Sequence, residues 1–238
     1  MNLSERKKAM ENVIEVKNLF KSYGLGDGKV DILKDINVSI KKGEFVSIMG
    51  PSGSGKSTLL YLMGGLDKPS GGSVEIKGRD IANMKDDEES KVRCREIGFV
   101  FQFYNLIPNL TVEENIMLPI LLDNKKEKDY RDSLDEIVEI VGLKERRKHT
   151  PRELSGGQQQ RVAIARALIN EPDIILADEP IGNLDSKTGI EIMELMQRIN
   201  REKNKTIVQV THSQESSTYG NRTIFLRDGE ICSKLYKD

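Results

Sequence analysis

The chain has 238 residues, of which 32% are charged and 37% are hydrophobic. This length suits one α/β domain, or one domain with a sizeable insertion, and it is sufficient to bury a hydrophobic core. The formal net charge is −1, so the chain has no overall positive field that would favour binding to nucleic acid.

The apolar runs are too short for a membrane-spanning helix, which needs roughly 18–20 such residues. Residues 1–12 are polar and lack the apolar centre of a secretory signal, so we expect them to form an N-terminal extension. Cys94 and Cys232 lack the spacing of metal ligands, and we expect them to be reduced thiols of a cytosolic protein. A function at a membrane would therefore require another chain that spans it.

The first part of the chain predicts a small antiparallel sheet. Residues 13–17 and 36–40 have strand patterns, and residues 18–31 form a polar stretch with several glycines, which predicts a connection. Residues 44–49 are largely apolar and predict a buried strand. We expect the two early strands to form an edge sheet that leads into this buried strand.

A glycine-rich loop follows the buried strand and fits the pattern G-x-x-x-x-G-K-[ST] of phosphate-binding loops. Gly53 and Gly55 can adopt positive φ, so that successive N–H groups point at an anion. Lys56 supplies a charge for the β- and γ-phosphates, and the Ser57 hydroxyl can bind Mg²⁺. The loop consists of Gly50, Pro51, Ser52, Gly53, Ser54, Gly55, Lys56, Ser57 and Thr58.

Further along the chain, apolar runs predict strands at residues 73–77 and 97–101. The block from 106 to 152 is punctuated by Pro108, Pro119 and Pro151 and contains a helical period at 130–141, which predicts an inserted helical subdomain. After it, the pattern predicts helices from about 158 and from 185, strands at 174–177 and 206–210, and a terminal hairpin that turns at residues 228–229.

Two adjacent carboxylates, Asp178 and Glu179, end the apolar strand at 174–177. In an open α/β sheet the ligand lies beyond the carboxyl ends of the strands. Asp178 can hold Mg²⁺, in this interpretation through water, and Glu179 can polarise the attacking water.

Four weaker signals accompany these carboxylates. Ser155 can cap a helix whose first residues, including Gly157, leave N–H groups open to an anion. Gln102 ends a predicted strand, where its amide oxygen could reach Mg²⁺ or water. His212 ends another strand, although a single histidine is more often structural than catalytic. The ring of Tyr23 could stack on a base.

Together these motifs resemble the nucleotide-binding subunit of ABC transporters, over about residues 13–235. They occur in the order that the family has. The resemblance implies an α/β fold of the P-loop NTPase class, with an antiparallel β subdomain and an inserted helical subdomain at about 88–168, within one ATP-binding domain at 13–238. The motifs are the phosphate loop, Gln102, the segment Leu154, Ser155, Gly156, Gly157 and Gln158 (which we name the signature segment), Asp178 and Glu179, residues 182–185, and His212.

The resemblance also implies a head-to-tail homodimer that forms when ATP binds. Ser155 and Gly157 of one subunit would contact the γ-phosphate held by Lys56 of the partner subunit, and Asp185 would lie at the dimer seam. Each site would then be complete only when two half-sites close, so that ATP binding drives closure and hydrolysis releases it.

Within one subunit the resemblance implies roles for the remaining site residues. Tyr23 would stack on adenine. The cofactors implied are ATP and Mg²⁺, with Ser57, Gln102 and Asp178 as metal-binding residues. The expected catalytic residues are Glu179 as general base, His212 at the γ-phosphate, Gln102 and Lys56.

The closest resemblance is to the group of macrolide exporters, lipoprotein-releasing proteins and antimicrobial-peptide-resistance proteins, through residues 98–108 and 179–185. Ile181 departs from the threonine that is usual in this group. The resemblance implies an ATPase that powers an integral membrane permease from the cytoplasmic face of the cell membrane. The expected cargo is lipophilic, peptide or antibiotic-like, and the permease is expected to contact residues 103–119.

Two alternatives are open at this point. A member of the same group that regulates a membrane partner during cell division is also similar. A soluble ATPase that acts on ribosomes or DNA would belong to another class, but the chain has neither a second cassette nor a long coiled coil. Its near-neutral charge also disfavours nucleic acid as a partner.

Overall fold

The computed structural model describes residues 11–24 and 28–233, so the predicted extension at 1–12 lies almost entirely outside the described residues. The described strands are β1 (Asn12–Tyr23), β2 (Val30–Lys41), β3 (Phe45–Met49), β4 (Gly71–Ile76), β5 (Arg79–Asp80), β6 (Ile97–Val100), β7 (Ile174–Asp178), β8 (Thr206–Thr211), β9 (Arg222–Arg227) and β10 (Glu230–Cys232). The described α-helices are α1 (Lys56–Met63), α2 (Asp86–Arg95), α3 (Val112–Leu122), α4 (Arg131–Ile140), α5 (Gly156–Leu168), α6 (Ser186–Lys203) and α7 (Gln214–Ser217).

The strands form two sheets. The smaller sheet has the order β2-β1-β4-β5 and is antiparallel, which confirms the predicted pairing of the first two strands. The larger sheet has the order β10-β9-β3-β8-β7-β6, and all its pairs are parallel except β9 with β10. The carboxyl ends of β3, β6, β7 and β8 therefore lie at one edge, where the predicted site residues follow them.

The prediction of a connection at residues 18–31 was wrong, because β1 continues to Tyr23 and β2 begins at Val30. The two strands stay paired through several register shifts, and Asn18 has φ 45° at one of these irregularities. The Asn37 side chain accepts a hydrogen bond from the Asn18 N–H, which stabilises the irregular backbone. Bulges of this kind let a polar sequence remain in a sheet without a regular alternation.

Helix α1 lies between the two sheets. It contacts β2 and β4 of the antiparallel sheet as well as β7 and β8 of the larger sheet. Its residues Leu59, Leu60 and Met63 are buried in one hydrophobic cluster with Ile14 of β1 and Ile48 of β3. The helix that follows the phosphate loop is thus fixed on both sides by the core.

A second hydrophobic cluster joins α3, α4, α5 and α6 to the other face of the larger sheet. Pro119, which was expected to punctuate the block between 106 and 152, instead lies inside α3. At this position it cannot donate to the Asn115 carbonyl, so α3 continues through it with one backbone hydrogen bond fewer. The bounds of the helical subdomain, about 88–168, stay a prediction.

Among the helices that the structure describes, none combines the length and the apolar character needed to cross a lipid bilayer.

Candidate functional site

The phosphate loop joins β3, the strand that the sequence predicts before it, to α1. Gly53 has φ 78° and Gly55 has φ 97°, which confirms that both glycines adopt the left-handed region. The Lys56 ammonium group donates hydrogen bonds to the carbonyl oxygens of Gly50, at 3.0 Å, and Pro51, at 2.8 Å. Burial lowers the pKa of Lys56, and the carboxylates of Glu179 and Asp178 counteract this. The loop therefore holds a buried cation beside its own N–H groups.

Asp178 lies at the end of β7, directly across from the start of α1. Ser57 Oγ donates a hydrogen bond of 2.8 Å to Asp178 Oδ1, and Tyr61 Oη donates one of 2.6 Å to Oδ2. The Asp178 side chain is buried, so these two bonds fix the orientation of its carboxylate. The Asp178 carboxylate oxygens and the Ser57 hydroxyl oxygen therefore lie close together, where they could act as ligands of a cation.

Tyr61 was not predicted as a site residue. Burial and, next, the hydrogen bond to Asp178 raise the pKa of Tyr61 to about 12, so the hydroxyl keeps its proton and remains a donor. A sequence signal existed, because Tyr61 follows Ser57 by four residues and therefore lies on the same face of α1.

Glu179 follows Asp178 in a left-handed backbone conformation, with φ 45°. Its Oε2 lies 2.7 Å from Nδ1 of His212, which follows β8. A Cβ built on Gly182 would lie 2.9 Å from Gln102 Nε2 and 3.3 Å from Glu179 Oε2, so both side chains lie against this glycine. Gln102, Glu179 and His212 come from three strand ends and meet at one point.

These groups face a single cleft of about 590 Å³. The cleft lies beyond the carboxyl ends of β3, β6, β7 and β8, as expected for an open α/β sheet. It brings together nine of the predicted site residues and adds Ile32 of β2, whereas Asp178 lies behind Ser57 and does not line it. Its lining residues are Ile32, Ser52, Gly53, Gly55, Lys56, Ser57, Thr58, Gln102, Glu179 and His212.

Tyr23 does not line this cleft. Its ring is 46% exposed at the end of β1, and the Lys21 ammonium lies 4.5 Å from the ring centroid. The Tyr23 hydroxyl donates a hydrogen bond of 2.5 Å to Asp67, which together with burial raises the pKa of Tyr23 to about 12. The structure thus holds the ring at a fixed place beside the phosphate-loop region.

The signature segment also lies outside the cleft. Ser155 is exposed and caps α5, since its Oγ accepts a hydrogen bond of 3.3 Å from the Gln158 N–H and its own N–H donates to Gln158 Oε1 at 2.9 Å. A Cβ on Gly157 would lie 2.3 Å from Thr188 Cγ2, so only glycine allows this contact between α5 and α6.

Asp185 caps α6 in the same way, and its carboxylate accepts hydrogen bonds from the N–H and the hydroxyl of Thr188. These bonds hold the pKa of Asp185 below its usual value. Asp185 is exposed and lies beside the signature segment, because Thr188 contacts both. The structure therefore places Ser155 and Asp185 in a second, exposed group outside the cleft, with Gly157 buried beside them.

The chain is similar to known proteins in sequence and in structure. The model of the ABC transporter family matches residues 33–182. The lipoprotein-releasing system ATP-binding protein LolD of Geobacter metallireducens is 46% identical over 222 residues, which cover 93% of this chain and 99% of LolD. The macrolide export ATP-binding/permease protein MacB of Bdellovibrio bacteriovorus is 48% identical over 221 residues, which cover 93% of this chain and 34% of MacB.

Among solved structures, the chain is similar to the dimeric post-hydrolysis state of the ATP-binding cassette MJ0796 bound to ADP and Pi, from Methanocaldococcus jannaschii. The TM-score is 0.84 and the sequence identity is 48%, over 94% of this chain and all of that chain.

The chain therefore belongs to the ABC transporter family of ATP-binding proteins. It is an ATPase with the fold of an ABC nucleotide-binding domain, and the predicted resemblance to the group of LolD and MacB is confirmed.

Proposed function

We propose that this chain binds and hydrolyses ATP to power a separate integral membrane permease that exports lipophilic, peptide or antibiotic-like cargo. The observation that carries the proposal is the single cleft that gathers Lys56, Ser57, Gln102, Glu179 and His212. Such a combination of phosphate loop, carboxylate and polar groups suits phosphoryl transfer to water.

Phosphate binding is assigned to the loop and to Lys56. The positive φ values of Gly53 and Gly55 support an inward-facing set of N–H groups, and the start of α1 adds the positive end of its dipole. Lys56 now donates to the carbonyl groups of Gly50 and Pro51, so it needs only to redirect its ammonium to reach the β- and γ-phosphates. Tyr23, in this proposal, stacks on the adenine ring.

Mg²⁺ is assigned to Ser57, Asp178 and Gln102. Hydroxyl, carboxylate and amide oxygens are the ligands that this cation prefers, and the adjacent Ser57 and Asp178 fit it. When bound, the cation would neutralise charge on the β- and γ-phosphate oxygens. The chain's own contribution is to hold the Asp178 carboxylate in one orientation through Ser57 and Tyr61.

Glu179 is the proposed general base. As water attacks the γ-phosphorus, Glu179 accepts a proton from it, the bond between the γ-phosphorus and the bridging oxygen breaks, and ADP and phosphate result. His212 supports this role because its Nδ1 lies 2.7 Å from Glu179 Oε2 and can orient the carboxylate. Gln102 lies against the same glycine as Glu179 and can orient the water.

The second exposed group is assigned to the partner's site. Ser155 and Gly157 lie at the start of α5, away from the cleft of their own chain, and their helix N-terminus suits a phosphate. We assign them to the γ-phosphate of the partner subunit in a head-to-tail homodimer, with Asp185 at the seam. The dimeric MJ0796 cassette, a relative of high identity, supports this assembly.

An apolar groove of about 560 Å³ is the proposed contact with the permease. The groove lies between α2, α3 and α5, and Leu122, one of its lining residues, is 77% exposed. Ile107 and Pro119 fall within the predicted range of 103–119. Phe103, between the lining residues Phe101 and Asn105 in sequence, is 72% exposed. Tyr104 instead packs near Gly156 of the signature segment, so a substitution at Phe103 tests coupling to the permease without disturbing that contact.

The experiment that tests this function is the Glu179→Gln variant of the purified chain. The amide keeps the shape of the side chain but cannot accept the proton, so kcat should fall about 100-fold or more. ATP should still bind, and an ATP-dependent dimer should persist in size-exclusion chromatography. Glu215→Gln, at an exposed position outside the cleft, is the matched control. Hydrolysis by Glu179→Gln at the wild-type rate would exclude Glu179 as the base.

A further inference from the structure

Gln160 is a fully buried polar residue of α5 with no assigned role. Its side chain has 0% exposure, and its Nε2 donates a hydrogen bond of 2.6 Å to the carbonyl oxygen of Pro180. Pro180 is the residue next to Glu179 in the chain. The oxygen of the same amide, Oε1, is buried and accepts no hydrogen bond from any residue that the structure describes.

This arrangement gives no net gain in satisfied buried oxygens. Gln160 satisfies the Pro180 carbonyl but leaves its own Oε1 without a partner, whereas a nonpolar side chain of the same length would remove Oε1 and leave the Pro180 carbonyl without its donor. The amide cannot be reversed to satisfy Oε1, because the Pro180 carbonyl is only an acceptor and requires the N–H group. The side chain therefore keeps an unsatisfied oxygen while it holds the Pro180 carbonyl.

The backbone that it holds is strained. Glu179 has φ 45°, a conformation that a non-glycine residue adopts only when its surroundings enforce it. On one side of this turn the Glu179 N–H donates to the Val210 carbonyl at 3.0 Å. On the other side Gln160 holds Pro180. These two bonds bracket the residue whose carboxylate reaches His212 in the cleft.

The hydrogen bond from Gln160 to Pro180 also connects the start of α5 to the turn at Glu179. Helix α5 starts at Gly156, directly after its cap Ser155, and Gln160 lies little more than one turn further on. The helix that carries the signature segment is thus bonded to the turn that carries Glu179. Asn183, three residues beyond Pro180, donates a hydrogen bond of 2.9 Å to the Gln102 carbonyl and ties the same loop to the cleft.

We propose that Gln160 is a positioning residue for Glu179, and that its hydrogen bond to Pro180 links the signature segment to the catalytic carboxylate of the same chain. The inference rests on the proposed role of Glu179 as base. In the proposed dimer the signature segment touches the partner's nucleotide, so Gln160 makes the geometry of one site depend on the occupancy of the other. It does not touch substrate itself.

The test replaces Gln160 with methionine, which has a similar length but no N–H donor. We expect kcat to fall about tenfold or more, because small displacements of a catalytic group are costly, while the KM for ATP stays within about twofold. The thermal unfolding midpoint should change little, because the variant removes one unsatisfied buried oxygen, Oε1, and creates another at the Pro180 carbonyl. Gln159→Met is the matched control, since among the described residues the Gln159 amide donates to the Leu154 carbonyl and makes no bond to the turn that carries Glu179.

Two outcomes would overturn the proposal. One is a wild-type kcat for Gln160→Met. The other is a loss of kcat in Gln160→Met that is accompanied by a lower unfolding midpoint. If a second nonpolar variant, Gln160→Leu, lost kcat and midpoint in the same proportion, Gln160 would have a merely structural role.

A double-mutant cycle separates this inference from the proposed function. If Gln160 acts through Glu179, Gln160→Met should lower kcat by less than about twofold when Glu179 is already glutamine. If the two losses multiply, Gln160 acts independently and the positioning role fails. If Glu179→Gln alone keeps the wild-type rate, the proposed function fails first.

Discussion

At the scale of single residues, the Asp178 carboxylate accepts a hydrogen bond at each of its two oxygens. Ser57 occupies one of its oxygens and Tyr61 the other. In metal sites, groups that orient a ligand without touching the metal contribute strongly to affinity. In the proposed Mg²⁺ site Tyr61 would orient Asp178 in this way, because the raised pKa of Tyr61 keeps its hydroxyl protonated as a hydrogen-bond donor.

Tyr61→Phe should therefore weaken the response to Mg²⁺. Loss of one hydrogen bond lets the carboxylate rotate, so the Mg²⁺ concentration for half-maximal ATPase activity should rise about tenfold. Calorimetric titration should show weaker binding of ATP with Mg²⁺ and unchanged binding of ATP in EDTA. Tyr219→Phe, at a half-buried tyrosine outside the cleft, is the control. An unchanged Mg²⁺ dependence would contradict the positioning role of Tyr61.

The sequence was sufficient to predict the conformation of residues that belong to a short, continuous motif. Gly53 and Gly55 have the positive φ that the loop pattern demands. The local sequence shows that Tyr61 shares a helix face with Ser57, but it does not reveal the partner of Tyr61 or of Gln160, because each partner lies in another part of the chain. Tyr61 meets a carboxylate 117 residues further on, and without the topology it is only an aromatic residue in an apolar helix.

At the scale of elements, the close approach of α5 to β6 depends on Gly98. A Cβ built on Gly98 would lie 2.3 Å from the backbone oxygen of Ala167. The backbone of both elements would have to move, because neither neighbour is the end of a flexible side chain. This contact aligns α5, and with it the signature segment, against the strand that leads to Gln102.

Gly98→Ala should thus destabilise the protein by about 1–3 kcal/mol, the usual cost of forcing extra atoms into a packed interior. Chemical denaturation followed by circular dichroism measures the difference. Gly28→Ala is the matched control, because no heavy atom lies within 4 Å of the added Cβ. That substitution should change the free energy of unfolding by about 0.5 kcal/mol or less. Equal denaturation midpoints for the two variants would contradict the packing argument.

At this scale, the strands formed by strongly apolar runs were predicted correctly, whereas the bounds of irregular elements were not. β7 and β8 lie where the runs at 174–177 and 206–210 predicted them, because strands buried on both faces are apolar throughout. β1 and β2 are longer than predicted, since register shifts allow their polar residues to stay paired. Pro119 suggested a break in helical structure, but α3 continues through it, because its buried residues, among them Ile116 and Ile120, pack in the core.

At the scale of the whole molecule, the site residues are divided between two surfaces. Lys56, Glu179 and His212 face the cleft, whereas Ser155 and Asp185 lie on an exposed surface outside it. A third surface, the apolar groove beside Leu122, is separate from both. This division suits a subunit that closes on a second copy of itself and transmits the closure to another protein.

The measurement that tests the central claim most directly is an affinity pull-down with the Glu179→Gln variant. The variant, with ATP and Mg²⁺, is incubated with gently solubilised native membranes, and mass spectrometry identifies the captured partner. Leu122→Lys in the same background is the control, since a charge in the groove should reduce capture. We predict recovery of a polytopic permease with a large extracytoplasmic domain. Recovery of a division-site membrane protein would favour the regulatory alternative, and recovery of ribosomal proteins or DNA without a membrane partner would contradict the account.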